Sequence, residues 1–242
     1  MFRQNVFEWG NTRRRGRADS VWRAAIIGAT LLTALEGAPA TAMSRPSPSF
    51  LVFNDIIQRV QRAPAETEIR AYDGLHAAAA SGEVDNIRAL ARAGADLNGR
   101  DAHGRTPLMV ATYARHHDAI ATLIDLGADL GALDQQRYDV ITIAGVIDDV
   151  VTLRMMIEAG AAAGLITSPY DGTALIAAAH LGHVAVVREL IRAGAPLDHV
   201  NNLGWTALIE AIVLGDGGAA HTAIVRDLII AGADVNLADR RG

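Results

Sequence analysis

From residue 73 onward the apolar residues fall into short runs that come in pairs. The first run of each pair reads LHAAAASG from Leu75, TPLMVATYAR from Thr106, DVITIAGVID from Asp139, TALIAAAHLG from Thr173 and TALIEAIVLG from Thr206. The second reads VDNIRALARAG, HDAIATLIDLG, VVTLRMMIEAG, VAVVRELIRAG and TAIVRDLIIAG. Leu90, Leu123, Ile157, Leu190 and Leu228 give the second runs an inward apolar stripe, as in an amphipathic helix. In the first runs Ala78, Ala79, Ala111, Ala144, Ala178, Ala179 and Ala211 leave room for close helix contact.

The punctuation agrees with helices. Thr106, Thr173 and Thr206 can each cap a first helix with a hydroxyl, and Asp139 with a carboxylate. Pro107 sits at a first helical position, where its missing N–H is harmless. Gly94, Gly127, Gly160, Gly194 and Gly232 end the second helices, where a left-handed residue is wanted. Each helix has two or three turns, too few to be stable alone in water. The pattern predicts an all-α fold in which pairs of helices survive by stacking.

Four of those glycines are 33, 33 and 34 residues apart, and the last step is 38. A paired pattern at this period resembles the ankyrin repeat family over residues 73–242, as five repeats and the start of a sixth. The departures are informative. The first repeat lacks the Thr-Pro turn and starts at Asp73, as an atypical end repeat would. Arg115 and Asp148 stand where other repeats have glycine between their helices, at a cost of up to about 1 kcal/mol each if φ is positive there. Repeat five carries five extra residues, Asp216–Ala220, expected to lengthen a surface loop. Asp239–Gly242 matches the opening of Asp101–Gly104, so either a C-terminal cap lies beyond these residues or repeat five is poorly covered.

The beginning of the chain reads differently. Residues 1–23 carry six arginines; Ala24–Leu35 is free of charge; Ala38-Pro39-Ala40 and Ala40-Thr41-Ala42 follow. A basic flank, a short apolar run and an A-x-A site predict a cleaved secretory signal over residues 1–42. Twelve apolar residues are too few to span a membrane, so no stable insertion is expected after cleavage. Arg13-Arg14 raises the twin-arginine route only weakly, because no hydrophobic residue sits just after the pair. Residues 43–72 read as a linker and a capping helix: SRPSPS, then Phe53, Ile56, Ile57 and Val60 on one helical face, ended by Pro64.

Charge and composition narrow the function. Residues 1–42 hold six arginines and three acids; residues 43–242 hold 16 arginines and 24 acids, a net −8. An acidic chain without a basic cluster outside its leader is a poor partner for nucleic acid or an anionic membrane. There is no cysteine, which excludes disulfides, thiolate metal sites and a cysteine nucleophile. The chain contains no Gly-rich phosphate loop, GxSxG elbow or HExxH helix. His180 and His183 are three apart, a spacing that can reach one metal ion, but the family resemblance implies structural roles for them and an inter-repeat hydrogen bond for His76. No cofactor is expected.

What remains is surface. The resemblance implies that protein partners are held by the turn tips and the outer side of each first helix. On this chain those positions are His103, Arg105, Gln135, Gln136, Tyr138, Tyr170, Asn202, Leu203 and Trp205 in the turns. Tyr113, Val146, Ile147, His180, Leu181, Val213 and Leu214 are their helical counterparts. Tyr113, Tyr138, Tyr170 and Trp205 are four of the five aromatics after Phe53; they suit either a binding hot spot or packing between turns. The expected protein is a non-enzymatic, periplasmic or secreted bacterial interaction module that stabilises or positions a partner protein. The rivals are an exported effector that binds a host protein, and an enzyme with a site near the inserted loop.

Overall fold

The computed structural model describes residues 63–214 and 218–238. The signal sequence expected over 1–42, the SRPSPS linker, the helix expected over Phe53–Val60 and the expected sixth-repeat start at 239–242 lie outside the described residues. Among the described residues every regular element is a helix, apart from one isolated bridge between Thr167 and Gly172. A short α1 (Glu66–Ala71) precedes five pairs: α2 (Gly74–Ser81) with α3 (Val84–Arg92), α4 (Pro107–Tyr113) with α5 (His117–Asp125), α6 (Val140–Val146) with α7 (Val150–Glu158), α8 (Ala174–Leu181) with α9 (Val184–Arg192), and α10 (Ala207–Leu214) with α11 (Ala219–Ala231). Within each pair the helices pack on each other. The first helices stack as one layer, α2 to α10, and the second helices as another, α3 to α11.

The core lies between those layers and repeats with the sequence. Leu75, Leu108, Ile141, Leu175 and Leu208 occupy equivalent inward positions and are at most 5% exposed. Each such side chain contributes about 1.5–3 kcal/mol by leaving water. The seven first-helix alanines named above are all buried, so the helices of successive repeats approach closely. In the second helices Ile87, Ile120, Leu153 and Val187 are fully buried, as are Leu123, Leu190 and Leu228. The inward place in α7 belongs to Met156, fully buried, and not to Ile157, which is half-buried; Leu90 in the first repeat is half-buried too. The step of one residue follows from counting back four from Gly160, as Leu190 stands to Gly194.

The caps form as their residues dictate. Thr106, Thr173 and Thr206 accept the N–H groups of Met109, Ile176 and Ile209 at 3.2–3.4 Å. The Asp139 carboxylate accepts from Thr142 at 2.8 Å, while burial pushes its pKa above the ordinary value. Gly94 and its four equivalents all have positive φ. Asp73 caps α2 in position but makes no side-chain bond, which is the atypical first repeat in atomic terms.

Two features differ from expectation. Ala219 and Ala220 of the insertion are helical, so α11 has 13 residues where its four counterparts have nine. Two of the five inserted residues thus extend a helix instead of a loop; residues 215–217 lie outside the described part. In addition, α1 was not legible: its ETEIRA has no apolar stripe and it buries no residue.

The junction between paired helices shows why glycine is used there. Gly82 and Gly182 are left-handed, with φ of +70° and +77°; Arg115 and Asp148 take the same conformation at +56° and +54°. A Cβ on Gly82 would meet the His116 ring at 2.9 Å, and one on Gly182 the His221 ring at 3.1 Å. Those rings reach back to the carbonyls of Ala80 and His180 in the preceding repeat. Over Asp148 the counterpart, His183, reaches the Gly145 carbonyl one residue further back, through Nδ1. Gly82→Ala is expected to destabilise by about 1–3 kcal/mol, through strain and collision together. Asp148→Gly is expected to stabilise by about 0.5–1 kcal/mol. Urea unfolding of the two variants against the parent checks both signs.

Candidate interaction surface

Four turns project from the array, at residues 101–105, 134–138, 168–172 and 201–205, and one device builds them all. A short polar side chain at the start accepts two N–H groups, two and four residues on. Asp101 accepts from His103 and Arg105, both at 2.8 Å. Asp134 accepts from Gln136 and Tyr138, Ser168 from Tyr170 and Gly172, and Asn201 from Leu203 and Trp205. This is an Asx or ST turn, which fixes the loop with a single side chain.

The turns are then joined to one another through the main chain. Gln135 N–H donates to the His103 carbonyl at 3.0 Å, Ser168 N–H to Arg137 at 3.0 Å, and Asn202 N–H to Tyr170 at 2.9 Å. Side chains add to the seam: Gln135 Nε2 donates to the Ala102 carbonyl and Asn202 Nδ2 to that of Pro169. Arg137 pairs with Asp171 at 2.7 Å. A row of tips so connected is pre-ordered, which lowers the entropy lost on binding.

The structure sorts the expected contact residues. Gln135, Asn202, Leu203 and Val213 are exposed. His103, Tyr113, Gln136, Ile147, Tyr170, His180, Leu181 and Trp205 are half-buried, each with part of its side chain at the surface. Three are corrected: Arg105 is 1% exposed, Tyr138 3% and Val146 6%. Arg105 is drawn in by two carboxylates, and Tyr138 and Val146 pack in the core, so none is a surface contact. The side chain of Leu214 lies outside the described residues. Burial, with Asp134 and a second phenol nearby, raises the pKa of both Tyr113 and Tyr138, so both keep their protons near neutrality.

The histidines are tied into the frame. His76 Nε2 meets the Arg105 carbonyl at 2.9 Å, the inter-repeat bond expected of it. His180 Nδ1 meets Glu210 at 3.0 Å, and Glu210, 5% exposed, also accepts from Asn201. His183 turns the other way, to Gly145, so the i, i+3 pair does not converge.

The sequence did not reveal a polar cluster at the first turn. Glu68 of α1 pairs with His103 and, at 3.2 Å, with Arg105. Arg105 also pairs with Asp101 at 2.7 Å, and the Tyr72 hydroxyl donates to Asp101 at 2.7 Å. Burial alone would raise Asp101, but the Tyr72 and Arg105 hydrogen bonds outweigh it and hold its pKa below the usual range. For Glu68, the Ala65 N–H and Arg105 outweigh burial in the same way. Apart from Arg105 and Asp101, which are four residues apart, these partners lie 29 to 37 residues apart in the chain, and no local pattern announces them.

Stacked helix pairs with a bonded row of turns define a solenoid scaffold for binding, a class that typically carries no catalytic machinery. Comparison with known proteins gives the family. The family described as ankyrin repeats (3 copies) matches residues 51–134 and 145–239. The ankyrin repeat protein YahD of Escherichia coli (strain K12) is 33% identical over 166 residues, 68% of this chain and 82% of that one. A crystal structure of an ankyrin repeat domain from Acinetobacter baumannii AYE is 45% identical with a TM-score of 0.66, covering 69% of this chain and 85% of that one. A shorter match, 44% over 68 residues, is to the NF-kappa-B inhibitor cactus of Drosophila yakuba, covering 26% of this chain and 14% of that one. The chain belongs to the ankyrin repeat family, and its repeats are protein–protein interaction modules.

Asp101→Asn keeps the turn, as Asn201 shows, but removes the charge that Arg105 and Tyr72 meet. Because the carboxylate's folded pKa is depressed, its contribution is present above the unfolded value and lost as pH falls through the folded one. The variant is expected to be about 2–4 kcal/mol less stable at pH 7, with a gap that narrows steadily below about pH 4. Chemical unfolding from pH 7 to pH 3 measures it.

Proposed function

We propose that this chain is exported to the periplasm of a bacterium and there holds a partner protein, stabilising or positioning it, without catalysing a reaction. The observation that carries this reading is the seam of main-chain bonds along the turns. It offers Gln135, Tyr170, Asn202, Leu203 and Trp205 at least partly to solvent on a frame that binding need not reorder. Leu203 is 46% exposed and Val213 41%, so apolar contact area is available beside the polar tips. Aromatic and apolar anchors on a rigid support are what strong protein contacts use.

Support for export comes from the basic flank, apolar run and A-x-A sites of residues 1–42, together with the acidic charge of the remainder. The likeness to a protein named as an inhibitor of NF-kappa-B supports action through another protein, by contact.

Cross-linking in intact cells, followed by capture of the tagged protein from the periplasmic fraction, tests both parts. Tyr170→Ala combined with Trp205→Ala is expected to reduce capture of the main partner at least tenfold, with an unchanged circular dichroism spectrum. Undiminished capture removes the turn row as the contact face. Recovery only from the medium or the cytosol removes the periplasmic assignment.

A further inference from the structure

Among the described residues, the least anchored helix sits on a well-built polar site. Helix α1 has six residues and buries none of them; its one large apolar side chain, Ile69, is 40% exposed. A helix of that length does not persist in water by itself. Its own attachments are polar, the Glu68 carboxylate on His103 and Arg105; just after it, Tyr72 packs partly buried against the core and donates its hydroxyl to Asp101. Glu68 also accepts the Ala65 N–H at 2.7 Å, closing the helix's own first turn. One carboxylate therefore both winds α1 and docks it, so a substitution at Glu68 weakens both supports together.

Below α1 is a receptor for that carboxylate. The Arg105 side chain is 1% exposed, oriented by Asp101 on one side, with its Nη2 directed at Glu68 on the other. The His103 ring takes the second carboxylate oxygen. A cleft of about 340 Å³ continues from this point past Tyr72 and His76 to Asp73. Asp101 is already met by a guanidinium and a phenol, so it does not repel an incoming acid, whereas Asp73 at the rim disfavours a second one.

We propose that the turn at 101–105 is a recognition site for a single carboxylate on a peptide segment, that α1 fills it in cis through Glu68, and that a partner's Glu or Asp occupies it when α1 lets go. The site lies at the first turn of the row assigned above to partner binding, and the occupant in trans rests on that reading. The carboxylate is a Glu or Asp side chain flanked by neutral residues, with an aromatic hydroxyl within one helical turn, because that is the chemistry Glu68 and Tyr72 present. An attached segment has a high effective concentration, so the site is closed in the resting protein and a free ligand must compete with the tether.

Two measurements on the full chain test this without the native partner, so failure here is distinct from failure of the capture experiment. The first reads release in cis. Glu68→Gln is expected to raise the rate of tryptic cleavage after Arg70 at least tenfold, with the main unfolding transition little changed. An unchanged cleavage rate overturns the strap. The second reads the site in trans, by nuclear magnetic resonance of the Arg105 Nε–H and the His103 ring. The probe is an acetylated peptide copying residues 64–73. It is expected to shift both signals saturably in the Glu68→Ala chain and at least tenfold less in the wild-type chain. The same peptide with glutamine for its Glu68 is expected to bind at least tenfold more weakly. Equal shifts from the two peptides, or none from either, overturn the carboxylate site. The peptide comparison needs no change at buried Arg105 and so does not depend on whether such a variant folds.

Discussion

Everything in this molecule depends on burial between neighbours. Among the described residues every helix except α11 is shorter than an isolated helix needs, so the pairs close their cores by stacking. Small residues at Ala78, Ala111, Ala144, Ala178 and Ala211 let successive layers approach until Leu108, Ile141 and Leu175 are covered almost completely. Hydrogen bonds from His116, His183 and His221 to carbonyls of the preceding repeat then fix how the second, fourth and fifth pairs are set on the one before. Stability of this kind accumulates from nearest-neighbour contacts, so damage at one junction weakens its neighbours first.

Much of that arrangement was legible because it is local and repeated. A threonine or aspartate before an apolar run is a cap wherever it recurs, and Thr106, Asp139, Thr173 and Thr206 all act as caps. The positive φ at Arg115 and Asp148 was likewise readable from their alignment with Gly82 and Gly182. Long-range partners and the exact register of adjacent apolar residues leave no such local trace. Ile157 was set inward in place of Met156 because both are apolar and adjacent, and only the count from the terminal glycine separates them.

The surface was harder to read than the frame. Arg105 stands at a turn tip in sequence, yet its guanidinium is satisfied by Asp101 and by Glu68, which is 37 residues away. Burial of a charge is decided by such partners, and partners from another element leave no periodic trace. Helix α1 was missed for the same reason: its docking uses a carboxylate and a phenol, not an apolar face. Tyr138 and Trp205 looked alike as aromatics in turns, but one is sealed in the core and the other keeps a surface.

The seam along the turns is made mostly of amide and carbonyl groups, which every amino acid except proline supplies in full. An exposed apolar tip side chain such as Leu203 takes no part in those bonds. Replacement of Leu203 alters what the surface prefers while the scaffold beneath keeps its shape. Specificity and architecture reside in separate sets of atoms, which lets a lineage change the one without endangering the other.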